Sequence, residues 1–348
     1  MSIDPSRAGA PDEAERADAA LGAVPWGELP AGARRFRFDA PSGALAAFAL
    51  GRPDAPRVVL VAGATGSKED FLLLAPPLAE AGYLVEAFDL AGNHESAGAG
   101  PAATGRSGVA RDDAVEGRAR HRGRGPRHGY TERLFVDDLV AFLAAGSPAH
   151  LLGYSFAGLI AERVAVEHPE LVRSLTLLTA PPMAGQAFRG MRWIGALAPF
   201  VTPHVGAGLM IWGIMTNKNR VDAGRLAFVR ARMAGTSRAA VDDMVAIMMD
   251  APDHRGRLRA SGLPLLVAVG ERDLWSTGRH ARFAREIGAE LAVYRTGHSP
   301  CETAPHQLAR DMLALFSRSG PTSGSVQLRD PVSDPAPGEE TRPDDAPS

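Results

Sequence analysis

The chain has 348 residues, is 45% apolar and 22% charged, and carries a formal net charge of −2. That length supplies a full hydrophobic core, and the near-neutral balance excludes a whole-chain basic field for nucleic acid or an anionic membrane. The single cysteine, Cys301, excludes an intramolecular disulfide framework and a multi-thiolate zinc site.

Residues 1–25 hold five acids and two arginines with no sustained apolar period, so 1–33 is predicted as a disordered acidic tail and lead-in. It lacks the cationic-then-apolar layout of a signal peptide. Arg35–Phe38 and Leu45–Leu50 then read as an antiparallel pair, and Val58–Val61 as a β-branched strand of the kind buried in a parallel sheet. A helix starts at Ser67, with Asp70 completing a capping box. Strand Tyr83–Phe88 follows.

Residues 105–128 carry seven arginines and three acids without interleaved aromatic rings on which bases could stack. They are predicted as a disordered Arg/Gly-rich insertion rather than a nucleic-acid tract. Beyond them come helix Thr131–Ala144, strand His150–Tyr154, helix Phe156–Glu167 and strand Ser174–Leu178. Asp137 and Asp138 are assigned to the polar face of the first of these helices.

More than eighty residues separate Ser174–Leu178 from the next strand, Pro264–Val269. Met191, Trp193, Ile194, Phe200, Met210, Ile211, Trp212 and Met215 make this stretch apolar. Within it, Trp193–Met215 approaches the length of a bilayer span, but Pro199, Pro203 and His204 interrupt it, and it is predicted as buried helix. Asn217, Lys218, Asn219 and Arg220 form a polar cluster behind it. Helix Ser276–Ile287, strand Leu291–Tyr294 and helix Pro305–Phe316 complete the series, and 319–348 reads as a second disordered acidic, Pro-rich tail. Alternation of this kind predicts one α/β domain over 34–318, a mostly parallel sheet flanked by helices.

Chemistry concentrates at Gly153-Tyr154-Ser155-Phe156-Ala157-Gly158, where a buried strand turns abruptly into a helix. A serine on such a turn projects its hydroxyl above the sheet edge, and its neighbours must be small. The hydroxyl needs a base and an orienting acid. His298, in Gly297-His298-Ser299-Pro300 after a strand, is the candidate base. Asp273 is the candidate acid, with Glu271 two residues earlier as its rival. Ser155, Asp273 and His298 all follow strand ends, where open α/β sheets place their ligands. Glu302 is assigned to supporting the histidine loop or capping the last helix, and Cys301 to a buried, inert thiol. The histidines lack ligand spacing, so neither metal nor cofactor is expected.

The order Ser, Asp, His resembles that of the α/β-hydrolase-fold serine hydrolases. Further likeness lies in Val61–Phe71, Phe88-Asp89-Leu90-Ala91-Gly92, His168-Pro169-Glu170-Leu171-Val172 and Gly297 through Glu302. The sequence departs from that family at Ala62, where the loop usually begins His-Gly, and at Gly92-Asn93-His94-Glu95-Ser96, where Gly-His-Gly-x-Ser is usual. The resemblance implies an esterase-like or thioesterase-like enzyme with an acyl-enzyme intermediate. It implies an oxyanion hole from the backbone N–H groups of Ala64 and Phe156, and a helical cap over about 183–258, after the sixth strand. His94, Met191, Trp193, Met210 and Trp212 are candidates for an apolar substrate pocket. Lyase or carbon–carbon hydrolase chemistry on the same three residues, and a non-catalytic binding protein on this fold, are the alternatives. A cytoplasmic location, a small-molecule ester or thioester partner and no membrane span complete the expectation.

Overall fold

The computed structural model describes residues 12–101, 128–191, 202–216 and 221–319. Within them the order is α1 (Glu13–Ala19), β1 (Arg34–Ala40), β2 (Gly43–Leu50), β3 (Arg57–Val61), α2 (Ala75–Glu80), β4 (Leu84–Phe88), α3 (Glu132–Ala144), β5 (Ala149–Tyr154), α4 (Phe156–Glu167) and β6 (Val172–Leu178). Then come α5 (Pro203–Met215), α6 (Ala223–Gly235), α7 (Arg238–Met248), α8 (Arg255–Ala260), β7 (Leu265–Gly270), α9 (Thr277–Ile287), β8 (Glu290–Tyr294), α10 (Pro300–Thr303) and α11 (Pro305–Phe316).

The strands form one eight-stranded sheet in the order β1-β2-β4-β3-β5-β6-β7-β8. The β1–β2 and β2–β4 pairs are antiparallel and the rest parallel. Because successive side chains of a strand point to opposite faces, β3 divides its residues between two cores. Val59 and Val61 pack with Phe135, Ile160, Val241 and Ile287, on the face of α3, α4, α7 and α9. Val58 and Leu60 pack with Leu78, Met312 and Leu315, on the face of α2 and α11. Register sets the working edge. Val61 pairs with Gly153, Tyr154 with Leu178, Leu178 with Ala268, and Gly270 with Tyr294. The carboxyl ends of β3, β5, β6, β7 and β8 therefore finish side by side, and the loops after them meet.

Two expectations need correction. Part of the lead-in is folded: α1 is closed by a capping box between Asp12 and Glu15 and docks on α11. There Asp18 accepts from the backbone N–H groups of His306 and Gln307, at 2.8 and 3.2 Å, and from both of their side chains. This contact is polar and buries no residue of α1, so it leaves no apolar period in the sequence. Asp138 is also not on a solvated face. It is 1% exposed and accepts from the N–H and hydroxyl of Ser42, at 3.0 and 2.6 Å, pinning the β1–β2 turn to α3. Burial raises its carboxyl to about 6 against the hydrogen bonds from Ser42.

The interval between β6 and β7 carries α5, α6, α7 and α8. On α5, Val205, Leu209, Trp212 and Met215 stand exposed, whereas Met210 and Ile211 pack against the core. No helix among the described residues is long and apolar enough to cross a membrane. Residues 105–127 of the Arg/Gly-rich insertion, Trp193, the cluster 217–220 and residues 320–348 lie outside the described residues.

Candidate active site

Ser155 sits between β5 and α4 with φ 54° and ψ −120°. A non-glycine residue holds such a conformation only where its surroundings over-determine it. Here its N–H donates to Leu178 O (2.9 Å) and its carbonyl accepts from Gly158 N (2.9 Å). The small neighbours have a steric reason. A Cβ on Gly153 would lie 2.7 Å from Ala157 O and 2.8 Å from Ala161 Cβ. Ala157 fits where a glycine is usual because the tightest approach has moved one residue on, to Gly158, whose Cβ would meet Ala180 Cβ at 2.4 Å.

The loop edges bring the three predicted residues together. His298 Nε2 lies 3.1 Å from Ser155 Oγ, and His298 Nδ1 lies 2.5 Å from Asp273 Oδ1. Asp273, not Glu271, faces the histidine. Asp273 is 2% exposed while Glu271 is open to solvent. Burial pushes the Asp273 carboxyl up, but the charge of His298 and the hydrogen bonds from His280 and His298 outweigh it and hold it at about 2. The histidine loop is braced twice: Thr179 Oγ1 donates to His298 O (3.0 Å), and Tyr154 and Ser299 share a hydroxyl contact (2.8 Å).

The loop carrying Ala64 runs directly over the serine: a Cβ on Gly63 would lie 3.0 Å from Ser155 Cβ. Phe156 opens α4. Ala62 is buried, and the departure at Asn93 has a structural role. Asn93 is fully buried, and its Nδ2 donates to the carbonyls of Gly63, Ala64 and Gly66 at 3.2–3.3 Å. Next to it, His94 adopts φ 42° at the position where the resembling pattern has glycine.

His94 packs edge-on against Phe228 (6.0 Å) and its N–H donates to Thr236 Oγ1, so it joins the loop to α6. Met191 pairs with Trp275, whose ring centre lies 6.1 Å from that of His298. Met210 is half-buried against the core. Trp212 is 54% exposed on α5.

A buried ionic network ties α6 to the loops around the serine. Arg225 reaches Asp70 (2.6 Å) and Glu302; Arg232 reaches Asp70 (2.5 Å) and Ser67 Oγ (3.2 Å). Glu302 thus joins the network rather than capping α11. The predicted capping box does form, with Ser67 and Asp70 closing a single helical turn over Lys68–Phe71. Alongside, the buried Lys68 ammonium lies 2.8 Å from Glu69, 3.2 Å from Asp89 and 2.9 Å from Glu95. Burial depresses Lys68, but the charges of Asp89 and Glu69 hold it above its ordinary range. Glu69, His94 and Glu95 have ligand atoms within 4.8 Å of one another and are a group that could hold a cation; the ammonium of Lys68 already supplies positive charge there. Burial pushes the Cys301 thiol well up, as for an unreactive thiol.

Sequence reading missed Asn93, Thr179, His280, and Arg225 and Arg232 of α6. The only signal for His280 was its place on the apolar stripe of α9 with Phe283, Ala284 and Ile287.

No curated protein matches the chain by sequence. A sequence model described as the alpha/beta hydrolase fold matches residues 56–194. Among solved structures, the enol-lactonase from Burkholderia xenovorans LB400 is 16% identical, with TM-score 0.59, over 81% of this chain and 100% of that one. A hydrolase from Pseudomonas aeruginosa PA01 is 20% identical, with TM-score 0.59, over 82% and 99%. The thioesterase domain from the curacin biosynthetic pathway is 15% identical, with TM-score 0.54, over 81% and 99%. At these identities the likeness concerns the fold. With the sheet order and the sequence match over residues 56–194, it shows that the chain adopts an α/β-hydrolase fold.

Proposed function

We propose that the protein is a serine hydrolase that cleaves a carboxylic ester or thioester through an acyl-enzyme. The observation that carries this reading is the unbroken contact chain from Asp273 Oδ1 through His298 to Ser155 Oγ, at 2.5 and 3.1 Å. Ser155 gives its proton to His298 Nε2 as its oxygen attacks the carbonyl carbon. The backbone N–H groups of Phe156 and Ala64 receive the oxyanion, with Asn93 fixing the loop that carries Ala64. His298 then returns the proton to the departing alkoxide or thiolate. Water, deprotonated by His298, adds to the acyl carbonyl and releases the acid, and Ser155 regains its hydrogen.

The apolar side chains of Trp275, beside His298, and of Met191, paired with it, suit an acyl or alkyl group. The enol-lactonase and the thioesterase domain among the structural neighbours are named for chemistries of the same kind. A single cysteine, buried in the core, fits a reducing compartment such as the cytoplasm.

Ser155→Ala abolishes turnover of short p-nitrophenyl esters and labelling by a fluorophosphonate, without lowering the melting temperature by more than a few degrees. Undiminished turnover in that variant would overturn the assignment. Product analysis on an ester chain-length panel separates simple hydrolysis from carbon–carbon cleavage or elimination on the same residues.

A further inference from the structure

Asp273 does not serve one histidine but two. Its Oδ1 faces His298 Nδ1, and its Oδ2 lies 2.7 Å from Nε2 of His280, one turn into α9. His280 is fully buried, and its other nitrogen, Nδ1, has no hydrogen-bond partner among the described residues. A hydrogen on Nδ1 would be an orphaned donor in a buried site, which is costly. The proton therefore belongs on Nε2, where it is donated to Asp273. Trp275, 1% exposed, stands edge-on to His280 (6.3 Å) and beside His298 (6.1 Å), and its Nε1 is anchored to Ala187 O (2.9 Å). The indole thus packs against both imidazoles and shields the carboxylate between them.

We infer that His280 is a positioning residue for the Ser155 reaction: by donating to Asp273 Oδ2 it fixes the carboxylate so that Oδ1 faces His298. This inference rests on the proposed function, because it concerns how the base of that reaction is oriented. Without His280 a carboxylate in this site has one oxygen unpartnered, turns freely about its Cβ–Cγ bond, and concentrates its negative charge on whichever donor remains. With it, both oxygens are held and the charge is divided.

The charged groups on the surrounding elements are engaged elsewhere or open to solvent. On α8, Arg255 pairs with Asp253 and Glu286, and Arg259 donates to Arg285 O. On the loop after β7, Arg272 donates to Arg295 O, and Glu271 is exposed. On β8, Glu290 is exposed; on α10, Glu302 pairs with Arg225; on α9 itself, Arg279 is exposed and Arg282 pairs with Glu286. Among the described residues, the two imidazoles are the side-chain partners of the Asp273 carboxylate oxygens.

The test follows the rate of Ser155 labelling by a fluorophosphonate from about pH 5 to 9 in the wild type, His280→Leu and His280→Gln. Gln returns an N–H at the ε position; Leu returns none. His280→Leu is expected to label about tenfold more slowly or worse. The midpoint of its acid limb moves to higher pH by about half a unit or more, because the freed carboxylate favours the protonated base. His280→Gln keeps both close to wild type. A merely structural loss would reduce the fraction of active protein without moving the midpoint. An unchanged rate and midpoint in His280→Leu, or a Gln variant as impaired as Leu, overturns the inference.

Where His280→Leu fails to fold, the Gln variant and the nitrogen-15 spectrum of the wild-type histidines decide. A hydrogen on His280 Nε2 is expected there, and one on Nδ1 overturns the inference. A wild type that takes no label at all counts against the role of Ser155 instead, and the tautomer remains readable in the same spectrum.

Discussion

Asn93 carries more than its size suggests. Its two amide hydrogens serve three carbonyls of the Gly63–Gly66 turn, and all of these atoms are buried. Buried carbonyls that lose a donor bear the desolvation cost alone, so a turn deprived of Asn93 shifts to find other partners. Ala64, whose N–H is proposed for the oxyanion, moves with it. Removal of one oxyanion donor costs about 10²–10³ in turnover, and displacement of a donor costs a fraction of that. Asn93→Ala is therefore expected to lower kcat by at least about tenfold with little change in KM, since the interaction matters only once the oxyanion has formed. Steady-state kinetics on an ester cleaved by the wild type checks this. An equal rise in KM with kcat unchanged would place the effect in substrate binding instead.

Elements formed by local chemistry were legible in the sequence, and contacts between distant polar groups were not. Helices Phe156–Glu167 and Pro305–Phe316 fall where the pattern placed them, and Ser155 is legible because its neighbours had to be small. His280 and Asp273 are seven residues apart across a loop and a helix start, a spacing with no periodic meaning. The α6 arginines were equally hidden: they meet Asp70 and Glu302 across 155 and 77 residues of chain. That network decides how firmly α6 sits against the loops around Ser155. Breaking a buried ion pair by removing one partner costs on the order of 3–5 kcal/mol, because the other charge remains buried. Arg225→Met should thus lower the melting temperature by several degrees or more. Adding Glu302→Gln should recover part of that loss by removing one of the stranded charges. Calorimetry of both single variants and the double variant measures the coupling, and strictly additive losses would mean that Arg225 acts through packing alone.

At the scale of the molecule, the lead-in links parts of the fold that the sheet does not join directly. Asp18 of α1 closes the start of α11. Trp26 lies 4.4 Å from the Arg225 guanidinium of α6, a Cβ on Gly27 would touch the Phe228 ring at 3.3 Å, and Gly27 O accepts from Arg35 of β1 at 3.0 Å. A segment that composition assigns to a solvated tail therefore spans the last helix, the first strand and α6, which the ionic network ties to the loops around the serine. Its contacts are few and mostly polar, each contributing about 1 kcal/mol, but they act on three elements at once. A chain beginning at Ala33 is expected to retain the sheet and to melt several degrees lower, about 2–4 °C for each kcal/mol lost. Asp18→Ala in the full chain should reproduce the share that belongs to α11. Trp26→Ala should reproduce the share that belongs to α6, and this second loss should vanish in an Arg225→Met background, because the stacking partner is already gone. Thermal denaturation of these variants beside the full chain decides the matter: a shortened chain as stable as the full one would return the lead-in to the status of a tail.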